Sequence, residues 1–243
     1  MTEHPGFDAL LASLLDRRGF GAPELADRAG LTPGEVRAVL AGDSPSEELL
    51  RLLGPALGFH AVDLFILARL AIPEDLAPLD ATAAQAVGST VAEAVRLSAT
   101  LRRDLLRLTR SLPQQERCSG FAPKLLAPLD GGPGACVIRM LQYRNLNWSG
   151  MAHALGLLTP TYLSASTYGV IGSGRSELTP RLVTDCATLL GIDSCDLAAL
   201  TGVHLTEAPL PLSPEAAETA ALLWEMRRLS AAQAQDVCDV ARA

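Results

Sequence analysis

The chain has 243 residues, is 49% hydrophobic and 19% charged, and carries a formal net charge of −7, a length and balance that bury a real core without a disulfide or cofactor scaffold. Five scattered cysteines without a Cys-x-x-Cys pair, and four equally scattered histidines, speak against a disulfide framework and a zinc site. The acidic start MTEHPGFD and the lack of any apolar run near the ~18 residues of a membrane span lead us to expect a cytoplasmic protein with no membrane partner and no cofactor.

Aromatic residues are few and Leu and Ala abundant, which favours helices over sheets; the expected fold class is all-α. In chain order, FDALLASLLDRR places Phe7, Leu10, Leu11, Leu14 and Leu15 on one face and stops at Gly19. APELADRAG makes a short second helix with Pro23 in its first turn and Gly30 at its end. Thr32 then caps PGEVRAVLAG, with Pro33 at the first helical position. A fourth helix spans about Ser46 to Leu57, and a fifth starts near Val62.

The same grammar returns after LAPLDGGPGA. Leu15, Arg18, Leu25, Ala26 and Gly30 correspond to Leu141, Arg144, Met151, Ala152 and Gly156; Thr32, Val36, Val39 and Gly42 to Ser164, Tyr168, Ile171 and Gly174; Gly58, Asp63 and Leu64 to Gly191, Asp196 and Leu197. A duplicated five-helix unit with about six residues inserted around LLTPTY accounts for all three blocks. It also disposes of a phosphate-binding loop at STYGVIGSGR, Ser166 to Arg175: no apolar strand precedes the glycines and no Gly-Lys-Ser/Thr follows. The stretch reads instead as a third helix, loosened by Gly169 and Gly172.

Two short helices, a tight turn, a capped third helix and two packing helices resemble the Xre-type, lambda-repressor-like helix-turn-helix family. The resemblance covers about residues 7–70, through ELADRAGLTPGEVRAVLAGD and LLRLLGPALGFHAVDLF, and more loosely 137–202, through GMAHALG, SASTYGVIGSGR and CATLLGIDSCDLAAL. With its Arg-rich middle and LLWEMRRLS tail, the chain is similar to regulators of this type common in actinobacteria. The resemblance implies a DNA-binding transcriptional regulator, with double-stranded DNA and a second copy of the chain as partners. A capped third helix enters the major groove by its leading end. The implied contacts are Thr32, Gly34, Glu35 and Arg37 in the first unit, and Ser164, Ser166, Thr167 and Arg175 in the second. The family pattern is not kept where Ala22 and Trp148 open the second helices, nor in the scarcity of Arg, Asn and Gln on the third helices, so base readout is thin. The alternative is an interaction adaptor that binds a protein partner around Tyr162 and the tail helices.

Positive charge gathers in the middle: residues 1–80 hold six basic and thirteen acidic side chains, 81–125 seven and three, 126–243 seven and eleven. Residues 89–112, STVAEAVRLSATLRRDLLRLTRSL, read as one amphipathic helix with Leu97, Leu101, Leu105, Leu108 and Leu112 on one side and Arg96, Arg103, Arg107 and Arg110 on the other. Those arginines suit a rail along DNA phosphates, or equally a solvated face or partners for acidic segments. The expected organisation is an N-terminal helix-turn-helix unit over 1–80, the basic helix over 81–112, a linker over 113–135, a degenerate second unit over 136–203 and C-terminal helices over 204–243. No catalytic constellation is apparent in the sequence, and enzyme activity is not expected.

Overall fold

The computed structural model describes residues 5–117, 120–122, 132–206 and 211–243, and every regular element among them is helical. The opening helix α1 (Phe7–Arg18) buries Leu10, Leu11, Leu14 and Leu15 as the periodicity predicts. Next, α2 (Ala22–Ala29) buries Leu25 and Ala26 and is closed by Gly30, whose φ of 67° suits a residue without a Cβ. Thr32 caps α3 (Pro33–Leu40), which buries Val36 and Val39, and Ser46 caps α4 (Glu47–Ala56). The short α5 (Ala61–Leu67) is buried from Val62 to Leu67, as an element apolar nearly all round must be.

The predicted single helix over 89–112 is two helices, α6 (Ala84–Ala94) and α7 (Ala99–Ser111). Ser98 breaks it: its backbone is extended and its hydroxyl caps α7 by accepting from the Leu101 amide. Arg96 therefore lies in the turn between the helices. The buried face of α7 keeps only Leu105 of the leucine stripe. It consists of Arg102, Leu105 and Thr109, while Leu101 and Leu108 are exposed. Arg102 tolerates burial because its guanidinium has three acceptors, Glu218 and the carbonyls of Leu97 and Ala94.

Five more helices follow: α8 (Gly132–Gln142), α9 (Trp148–Leu158), α10 (Ala165–Gly172), α11 (Pro180–Leu190) and α12 (Ser194–Thr201). Adding 132 to the bounds of α3 gives those of α10. Two expectations need correction. Gly156, the counterpart of the helix-ending Gly30, does not stop α9; the insertion continues the helix to Leu158, where the Thr159 hydroxyl donates to the Leu155 carbonyl. Nor do glycines loosen α10. Gly172 is buried, and a Cβ there would lie 3.1 Å from Ile138 Cγ2, so its bareness lets α8 and α10 approach. The chain closes with α13 (Pro214–Met226) and α14 (Ala231–Arg242), capped by Ser213 and Ser230. These tail helices pack at home, α13 on α6, α7 and α11, and α14 on α6 and α7. On its other side α6 packs on α9, where a Cβ on Gly88 would fall 2.8 Å from Gly150 Cα.

The two five-helix sets share one continuous apolar core and meet reciprocally: α1 packs on α12, and α8 packs on α5. The charges obey the same exchange. Arg18 donates to both oxygens of Asp196, at 3.2 and 2.5 Å, and Arg144, its repeat counterpart, donates to both oxygens of Asp63, the counterpart of Asp196. Both aspartates stand three residues past the cap of their helix. The Asp63 carboxylate also accepts from the backbone amide of His60, so the group that starts α5 also holds α8.

Candidate nucleic-acid interface

The leading ends of α3 and α10 face solvent. Thr32, Gly34, Glu35 and Arg37 are exposed, as are Ser164, Ser166 and Arg175, and Thr167 is half-buried. The apolar residues beneath each helix, Val36 and Val39 in one and Tyr168 and Ile171 in the other, are buried and fix which side looks outward.

The two ends differ chemically. On α3, the Glu35 carboxylate folds back and accepts from the Thr32 amide at 2.8 Å and its hydroxyl at 2.7 Å, while the Glu35 amide donates to Thr32 Oγ1 at 3.3 Å. These bonds hold the Glu35 carboxyl below the usual carboxylate range. The positive end of α3 is thus already faced by an anion of its own chain, which weakens it as a phosphate site. On α10 no carboxylate intervenes. Ser164 Oγ lies 2.8 Å from Ser166 Oγ and 2.9 Å from Thr167 Oγ1, an exposed cluster of hydroxyls. No Asp or Glu occurs from Gly131 to Ser176, whereas residues 7–43 contain six. That acid-free run was available in the sequence and would have pointed to the second set.

The arginines of the middle segment do not form a free rail. Arg103 lies 3.5 Å and Arg110 3.0 Å from the carboxylates of Glu218 and Glu225 on α13, Arg107 pairs with Asp104, and Arg96 lies 3.1 Å from Glu93. They remain more than half exposed, yet each is opposed by an acid, and two of them, Arg103 and Arg110, seat α7 on α13. A cleft of about 620 Å³ is lined by Glu74, Asp75, Gln114, Arg117, Arg227 and Arg228, the last of which lies 3.5 Å from Glu225. Its Arg117 is spent on the carbonyls of Glu74, Ala77, Pro78 and Leu79.

His153 is exposed on α9, as is Asp27 on α2. Tyr162 is 90% exposed, with its ring edge over Gly156. Trp224 stacks on His60, rings 3.5 Å apart, and so sits against the junction of the two sets. Lys124 and Cys118 lie outside the described residues. Among the described residues no single helix is long and apolar enough to cross a membrane. No family model, curated protein or solved structure gives a match to this chain.

Proposed function

We propose that the protein is a transcriptional regulator that binds duplex DNA through two helix-turn-helix units, the first five helices and the second five. The observation that carries this reading is the leading turn of α10. It is exposed, it presents the hydroxyls of Ser164, Ser166 and Thr167, it lacks a capping carboxylate, and it sits in a stretch without acidic residues that ends beside Arg175. Helix amides and hydroxyls of this kind donate to phosphate oxygens and to base edges. The second set is therefore the principal DNA contact, and α3, self-capped by Glu35, the weaker one.

Fluorescence anisotropy with a labelled 30-base-pair duplex at two salt concentrations tests this. Binding is expected to weaken steeply with salt, and Ser166→Asp, which places an anion at the α10 end, to weaken it by at least about tenfold. Affinity unchanged in that variant would overturn the assignment to α10, and no retention at low salt would overturn DNA binding altogether. The second reading, an adaptor for a protein partner, rests on Tyr162, an aromatic ring 90% exposed on the insertion. Absence of DNA binding would favour it.

A further inference from the structure

The contact between the two five-helix sets has the logic of a two-fold dimer interface. When one surface patch meets a copy of itself, residue i of one copy touches residue j of the other and j touches i. Here α1 lies on α12 and α8 on α5, and the Arg18–Asp196 and Arg144–Asp63 pairs are each other's image under the repeat. A head-to-tail stacking of repeats would give only one member of each pair. The remaining helices break the symmetry on one side only, since α6 covers α9 whereas α2 packs on α3 and α4.

Two consequences follow from geometry. A two-fold rotation keeps every point at the same height along its axis, so the leading ends of the equivalent helices α3 and α10 stand at one level of the molecule, and both ends are exposed. The self-complementary surface is also used up inside the chain: both faces of each α1–α5-type contact are already occupied. A second copy is not needed to complete it.

Resting on the DNA-binding reading, we infer that a single chain occupies a single duplex site made of two unlike half-sites. The half-sites must differ because the helices facing them differ: Thr32, Gly34, Glu35 and Arg37 on one side, Ser164, Ser166 and Thr167, with Arg175 just beyond the helix, on the other. Their centres are expected about one helical turn apart, roughly 10 base pairs, or a multiple of it.

The experiment is selection of bound sequences from a duplex library with 30 randomised base pairs, followed by sedimentation of the full chain on a selected duplex. The expected result is a two-part motif without palindromic symmetry, and one chain per duplex. Arg37→Ala should relax preference in one half and Arg175→Ala in the other, each with an affinity loss of about tenfold or less; both residues are exposed, so folding is not at stake. Two chains per duplex, a palindromic motif, or a single half-site on which both variants act would overturn the inference while leaving DNA binding standing. Failure to retain any duplex at low salt would overturn the DNA reading itself, and the inference with it.

Discussion

Arg18–Asp196 and Arg144–Asp63 occupy the same positions of the two repeats but live in different surroundings. The Arg144 pair is sealed, with side-chain exposures of 1% and 0%, beneath Trp224, whose ring lies 5.2 Å from the Arg144 guanidinium and stacks on His60. In the Arg18 pair the arginine is 20% exposed, and Asp196 has a second cation in Arg17, Nε to Oδ1 at 2.6 Å. At the position equivalent to Arg17 the second repeat has Tyr143, which packs edge-on against Phe121 instead. The ion pair recurs at matching positions, but its surroundings do not. Where a second cation shares the carboxylate, the loss of one arginine costs little, whereas in the sealed site the loss of one partner strands the other charge.

The comparison can be broken most decisively at Arg144. Arg144→Ala leaves the Asp63 carboxylate buried and uncompensated and should destabilise the chain by about 3–5 kcal/mol in urea unfolding; a loss below about 1 kcal/mol would erase the distinction between the pairs. The sealed side should also respond to acid through His60, whose imidazole is held down to about 4, first by burial and next by the Arg144 charge. A base with a lowered native pKa stays neutral in the folded chain while the unfolded chain takes up a proton, so its effect is nil above pH 6.5 and destabilises increasingly toward pH 4. Measured as the difference between the native chain and His60→Phe, this loss should approach about 3 kcal/mol at pH 4; parallel curves would show that His60 titrates freely. Gly88→Ala probes the helix that covers only the second set and should cost about 1–3 kcal/mol, because the new methyl meets the α9 backbone at Gly150. Smallest is Arg18→Ala, about 1 kcal/mol or less, since Arg17 remains on Asp196. An Arg18 effect equal to that of Arg144 would mean that burial is not what separates the pairs.

Much of the helical skeleton was legible because its signals are local. Thr32, Gly19 and Gly30 mark ends, and the spacing of leucines marks faces, without reference to the rest of the chain. The sequence also aligns Arg18 with Arg144 and Asp63 with Asp196. That these residues pair across the two sets was not legible, because aligning a repeat with itself matches like with like and is silent on what touches what. The helical wheel over 89–112 failed for a related reason. It assumes an unbroken axis, while Ser98 offers the backbone a cap that ends one helix and starts another, and Arg102 turns inward because Glu218, more than a hundred residues away, is there to meet it. At the candidate interface, exposure of the α3 and α10 ends followed from the buried positions beneath them, but the return of the Glu35 side chain onto Thr32 required coordinates.

In an assembly of identical subunits every substitution is made twice, so a change that helps one face and harms its mate is hard to keep. Joining both halves in one chain lifts that constraint. Trp224 roofs one ion pair while a second cation, Arg17, shares the carboxylate of its twin, and Glu35 blunts one helix end while its relative at Thr167 stays uncharged. Each half is then free to diverge, while the reciprocal aspartates keep them in step.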